Sequence, residues 1–172
     1  MTDRSLRTGL IALVLLLAAT LAAGAQAWVP VVTPSNAKGL KEATYCADSP
    51  YFGNYCVVVE CAEQRPLGLY VSAPVLARNG LRTAALSVDG RPQARFEVVQ
   101  YPGTSDLFYR DLDRDTAQPL LAALRRGRAF SLHFQDGSDA LTLSGTLTGS
   151  SRSLDVALRA CPAPRPAPVA NP

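Results

Sequence analysis

The residues in this chain with the most chemistry to offer are four cysteines. Three fall within CADSPYFGNYCVVVEC, residues 46–61, and the fourth is Cys161. Thiolates can ligate zinc, run thiol–disulfide exchange or staple a fold. Zinc sites commonly draw their ligands from close pairs such as C-x2-C. Here 9, 4 and 99 residues separate successive cysteines, and the only histidine is His133. A thioredoxin-like centre needs C-x-x-C, a spacing this sequence lacks. The reading that remains is two disulfides in an exported chain.

Strand geometry then sorts the pairs. CVVVEC is β-branched, and as a strand its ends lie roughly 16 Å apart at ~3.3 Å per residue, whereas a disulfide needs Cα atoms within ~7 Å. Cys56 and Cys61 therefore cannot bond each other. Alternation turns Val57, Val59 and Cys61 one way and Cys56, Val58 and Glu60 the other, the charge marking the wetter face. Cys161 ends the apolar stripe of a C-terminal helix, so it is expected to meet Cys61. Cys46 is left for Cys56, closing the surface loop ADSPYFGNY.

Other candidate chemistry dissolves on inspection. Asp111, Asp113 and Asp115 open like a calcium loop, but the sixth and twelfth positions, which need Gly and a bidentate Glu, are Thr116 and Ala122. These carboxylates read instead as favouring a helix N-terminus, with Arg110 and Arg114 beside them. His133 sits on the polar phase of a strand with no nucleophile in evidence, and Ser144-Gly145 and Gly149-Ser150-Ser151 lack the G-x-S-x-G elbow. Lysine is confined to Lys38 and Lys41, so no later lysine is there for a Schiff base or a phosphate loop. No catalytic residue, metal ligand or cofactor is assigned.

Two clusters stay open as protein-binding candidates. Tyr51, Phe52 and Tyr55 sit in the short disulfide-closed loop, where they either pack inward or form a rigid recognition surface that loses few rotamers on binding. Arg125, Arg126 and Arg128 end a helix, where cations are stabilising, and would also suit an acidic partner.

Short β-like runs separated by turn residues position these groups. They are Cys56–Cys61, the alternating Leu67–Ala73, Ala84–Val88 before the Asp89-Gly90 turn signal, Arg95–Gln100, Leu107–Tyr109, Phe130–Phe134 and Leu141–Leu147. Two short helices come late. Thr116 caps one with Ala117, Leu120, Leu121 and Leu124 on one face, Pro119 in its first turn and Gly127 at its end. The other starts near Ser151 or Ser153 and aligns Leu154, Ala157, Leu158 and Cys161. The fold expected is mainly β, an antiparallel, sandwich-like, disulfide-stapled domain over residues 46–161.

The flanks differ in kind. Arg4 and Arg7, the apolar run 9–25 and Ala25-Gln26-Ala27 have the three parts of a secretory signal, read as residues 1–27; an uncleaved anchor is the alternative. Residues 28–45 read as an extended arm. The proline-rich tail 162–172 has too little apolar surface to fold, and reads as a disordered end or a polyproline recognition segment. Loss of Asp3, Arg4 and Arg7 with the signal reduces 17 basic and 14 acidic residues to 15 and 13, too even a balance for a nucleic-acid footprint.

The order of features from Val57 to Cys161 is also familiar: VVVEC, LGLYVSAP, LSVDG, LLAALRRGRAFSLHF and LTLSGTLTGSSRSLDVALRAC. It resembles the small exported domains of the invasion-associated locus B family, and still more the periplasmic accessory proteins of type VI secretion. The resemblance implies a β-sandwich-like domain without cofactor that acts through protein contacts at the cell envelope. It also implies a Cys61–Cys161 bond. The chain departs from the locus B pattern by lacking a second cysteine pair in its middle and by adding Cys46 and Cys56. The expectation is thus a periplasmic or secreted, non-enzymatic protein that binds another envelope protein and neither nucleic acid nor, after cleavage, the membrane. An inhibitor or regulator of a cell-wall hydrolase is the alternative.

Overall fold

The computed structural model describes residues 26–32, 41–51, 53–61, 67–137 and 139–159. Residues 1–25 of the expected signal, Phe52, Cys161 and the tail 162–172 lie outside them. Ten strands are described: β1 (Val29–Val32), β2 (Lys41–Ser49), β3 (Gly53–Cys61), β4 (Leu67–Ser72), β5 (Thr83–Val88), β6 (Arg91–Glu97), β7 (Val99–Gln100), β8 (Leu107–Leu112), β9 (Ala129–Asp136) and β10 (Asp139–Thr146). Three helices accompany them: α1 (Pro74–Asn79), α2 (Arg114–Arg126) and α3 (Ser150–Leu158). The strands form two antiparallel sheets, ordered β1-β2-β3-β4-β8-β7 and β10-β9-β5-β6. The mainly β, antiparallel, disulfide-stapled reading is the fold observed.

One hydrophobic cluster draws on the inner faces of both sheets. Tyr45, Val57, Val71 and Phe108 come from the larger sheet, and Leu86, Phe130, Phe134 and Leu143 from the smaller. Each such side chain contributes about 1.5–3 kcal/mol when fully buried, so this alternation is what holds the sheets together. Tyr45 meets Phe130 edge-on at 5.2 Å between ring centroids. Gly145 makes that approach possible, because a Cβ there would run into the Tyr45 ring. The Tyr55 hydroxyl donates to the Ser144 carbonyl on β10, a second tie between the layers.

Of the expected arm, residues 28–32 and 41–45 belong to the domain, as β1, the residue before it and the start of β2; residues 33–40 lie outside the described residues. Trp28 is buried, 5.8 Å from Phe130 between ring centroids, and its indole Nε1 donates to the Thr146 carbonyl at 3.1 Å. Ala43, Tyr45 and Ala47 alternate inward along β2. Two prolines and the weak signal of alanine hide that period in the sequence.

The Cys46–Cys56 bond is present, with Cα atoms 4.1 Å apart. It joins directly opposed residues of the β2–β3 hairpin rather than the two ends of a loop. Most of ADSPYFGNY is strand, with Ser49 opposite Gly53. Cys61 is fully buried and disulfide-bonded; its expected partner, Cys161, lies outside the described residues.

The helices depart from expectation in instructive ways. α1 has six residues, too few to show a period in the sequence, and stops at Gly80 with φ 68°. α2 is capped by Asp113, whose carboxylate accepts from the Thr116 N–H at 2.8 Å and from its hydroxyl at 3.0 Å, so Thr116 is the third helical residue and not the cap. Pro119 therefore lies inside the helix and forgoes the bond to the Asp115 carbonyl, a cost the apolar face of α2 outweighs. Gly127 does end α2, but with φ −75°. It is required by space: a Cβ would overlap Val88 Cγ1 and come within 2.8 Å of Leu147 Cδ1. α3 starts at Ser150, whose hydroxyl donates to the Leu124 carbonyl at 2.7 Å and ties it to α2.

Arg95–Gln100, expected as one strand, is two. β6 ends at Glu97, Val98 is buried, and β7 joins the opposite sheet. The chain changes layers at that point.

Candidate functional site

On each strand of the six-stranded sheet, one phase feeds the core and the other forms the outer face. Register makes the outer phase into rows. One row crosses all six strands: Val29 opposes Thr44, Thr44 opposes Val58, Val58 opposes Tyr70, Tyr70 opposes Tyr109, and Tyr109 opposes Val99. Six strands at ~4.8 Å spacing make it about 24 Å long. Val29 and Val99, at its ends, are 51% and 49% exposed, and Val58 and Tyr109 are half-buried.

Three tyrosines give the β4–β8 end of the row its shape. Tyr70 and Tyr109 stack at 5.9 Å between ring centroids, and Tyr101 meets Tyr109 edge-on at 5.6 Å. Tyr70 itself is buried, lying over Gly68, where a Cβ would clash with its ring. Offset and edge-on pairs like these hold aromatic rings in fixed orientations. Tyr109 and Tyr101, both half-buried, are therefore held in fixed orientations at that end of the row.

The neighbouring rows differ in chemistry. On one side run Val31, Glu42, Glu60, Gly68 and Asp111. Two carboxylates oppose each other there, and burial pushes the Glu42 carboxyl above its ordinary value. On the other side lie Cys46, Cys56, Ser72 and Leu107, so the disulfide sits in the outer face and braces the hairpin that carries it. A stripe of valines and tyrosines, interrupted by Thr44 on β2, thus lies between an acidic row and a staple.

A second region lies at the β5–β6 turn, where a cleft of about 360 Å3 is lined by Val88, Asp89, Arg91, Gln93, Ala123, Arg126 and Gly127. Asp89 and Gly90 both have positive φ, 49° and 75°, the geometry of a two-residue type I′ hairpin turn. The Asp89 carboxylate accepts from the Arg128 and Ala129 N–H groups at 3.0 Å each, latching the turn to the start of β9. Those bonds, Arg128's first, hold its carboxyl below the usual value.

The residues singled out from sequence are dispersed. Tyr51 stands at the β2–β3 tip, 92% exposed. Tyr55 is withdrawn from any recognition surface, because alternation turns it into the core, where burial raises its hydroxyl's pKa. Phe52 lies outside the described residues. Arg125 pairs with Asp155 at 2.9 Å. Arg126 donates from Nε to the Ala122 carbonyl at 3.2 Å and borders the cleft, and the exposed Arg128 bonds Asp89 through its backbone. His133 accepts from or donates to the Thr142 hydroxyl at 3.0 Å on the neighbouring strand. Among the described residues, no group of three or more His, Cys, Asp or Glu side chains could hold a metal ion, and no helix is long and apolar enough to cross a membrane.

Sequence reading missed the outer row. Its signal was present: CVVVEC and LGLYVS are apolar in both phases, the pattern of strands covered on both faces, while Glu60 alone had marked the outer phase as wet.

No family model matches the chain, and no curated protein matches it in sequence. Among solved structures, the crystal structure of invasion associated protein B from Bartonella henselae superposes with a TM-score of 0.52 at 16% identity, covering 78% of this chain and 92% of that one. At that identity the likeness is one of fold. It supports the resemblance to invasion-associated locus B domains, and no comparison supports the resemblance to type VI secretion accessory proteins.

Proposed function

We propose that this is an exported, non-enzymatic protein of the cell envelope, periplasmic or secreted, that works by binding another protein across the outer face of its six-stranded sheet. One observation carries the reading: a row that is apolar or aromatic on every strand but β2, where Thr44 stands, crosses all six strands, with its two terminal valines about half exposed. Water-facing apolar stripes of this kind, rimmed by polar residues, mark interaction surfaces, and rigid tyrosines are favoured contacts in them. The Cys46–Cys56 disulfide is compatible with export to an oxidising compartment. So is the fold likeness to a protein described as invasion associated.

The test is site-specific photocrosslinking in cells that produce the full chain. A photoreactive residue at Val99 should capture one dominant envelope protein, and one at Arg128, beside the cleft, should not. Equal capture from both positions, or none from Val99, sinks the proposal. Recovery of a hydrolase from Val99 would make the contact an inhibitory or regulatory one.

A further inference from the structure

We propose that two copies of this chain pair antiparallel along the free edge of β6, with Arg95 of each copy opposite Glu97 of the other. The contact lies on the four-stranded sheet and is independent of what the outer face of the larger sheet binds.

Backbone direction comes first. β6 is the last strand of its sheet. The Val98 N–H donates to the Arg82 carbonyl at 2.9 Å, so the backbone of Val98 turns inward. Direction alternates along an antiparallel strand. Phe96 therefore exchanges hydrogen bonds with Ala84, its opposite residue on β5, while Arg95 and Glu97 aim their N–H and C=O groups away from the sheet. The sheet's other end is closed differently. On β10 the Ser144 and Thr146 carbonyls accept from the Tyr55 hydroxyl and the Trp28 indole.

Charge then selects the occupant. Arg95 and Glu97 are exposed, and within their own sheet they oppose Ala85 and Thr83. Neither is in an ion pair among the described residues. A twofold axis through Phe96 sets Arg95 against Glu97 twice, and each such pair exchanges two backbone hydrogen bonds. An axis through Arg95 or through Glu97 sets like charges directly opposite, which is destabilising. A slip of one residue sets the outward backbone of Arg95 against the inward backbone of Phe96. Read in reverse, Arg95-Phe96-Glu97 is its own complement, and that commits the edge to a second copy.

The segment is bounded at both ends. Pro92 has no N–H, and the pairing shifts between Leu86 and Ser87, so the first half of β6 is blunted as sheet edges commonly are. Beyond Val98 the chain leaves for the other sheet. Only the stretch around Phe96 can pair, which holds the register in place.

Sedimentation equilibrium of the protein purified from producing cells tests this, with a concentration-dependent dimer expected. Glu97→Arg and Arg95→Glu each put like charges together at both pairs, and each should raise the dissociation constant by about tenfold or more. Combining the two restores opposite charges and should return it to within about threefold of wild type. Glu97→Gln, which only removes the charge, should fall between wild type and Glu97→Arg. Denaturation curves check that each variant remains folded. A monomer at every concentration overturns the proposal. So does a dimer indifferent to either charge reversal, or one that the double exchange fails to restore.

Discussion

The outer face of the six-stranded sheet and the cleft at the β5–β6 turn both gather residues that could bind something, yet folding explains only one of them. At the cleft nearly every notable group has structural work. Asp89 is latched by two backbone N–H groups, Arg126 donates to the Ala122 carbonyl, and Gly127 is there because Val88 and Leu147 leave no room for a side chain. On the sheet face, Val29, Val31 and Val99 are exposed β-branched residues, and no described element packs over them. A strand gains nothing in stability from an apolar residue left in water. The contrast shows where to look for function: in the residues that the fold does not need.

This contrast can be broken from either side, and the largest effect is expected at the cleft. Gly127→Val should destabilise the protein by about 3 kcal/mol through overpacking against Val88 and Leu147, read from chemical denaturation. A wild-type midpoint would mean that the α2–β9 junction yields easily. Removing the staple with Cys46→Ser and Cys56→Ser should cost about 2–3 kcal/mol on loop-closure grounds, and should also weaken capture from Val99, since the disulfide lies in the same face. Loss of stability with unchanged capture would separate the staple from recognition.

Tyr55→Phe should cost about 1 kcal/mol, the net worth of one buried hydrogen bond, and leave capture unaltered, because that side chain faces the core. Asp89 gives a pH signature. Its folded-state pKa is depressed, so in acid the unfolded chain binds more protons. Its stabilisation is full above about pH 4 and drains as pH falls through the lower folded value. Asp89→Asn, which keeps a residue tolerant of positive φ, should therefore flatten the acid limb of stability against pH; an unchanged limb would place the acid sensitivity elsewhere, with Asp113 the next carboxylate held low by hydrogen bonds. Smallest on stability is Val99→Ser, expected within about 0.5 kcal/mol of wild type while capture of the partner is lost. Retained capture would remove Val99 from the interface.

Much of the architecture was legible in local sequence. The strands from Cys56 to Leu147 follow from period-2 runs, the Asp89-Gly90 turn from the residue types a type I′ turn accepts, and the Cys46–Cys56 pair from alternation and reach along one strand. The misreadings have a common cause. Tyr55 was ambiguous because its loop is a hairpin, and only its register with Ala47 turns it inward. Trp28 looked like part of an arm, since its partners, Thr146, Thr148 and Phe130, lie more than a hundred residues away. The break at Val98 was invisible because a strand that changes sheets keeps its β propensity throughout.

Turn chemistry, side-chain alternation and the reach of a disulfide within a hairpin are set by residues a few positions apart, so the chain alone decided them. Which side of a sheet is covered is a different matter. It depends on which distant segment packs there, and the same VVVE and LGLY runs suit a covered face or a bare one. Only the assembled sheets show the second sheet and α3 set against one face and the valines and tyrosines of the other face forming a row, because that row is made of six strands that meet nowhere but in three dimensions.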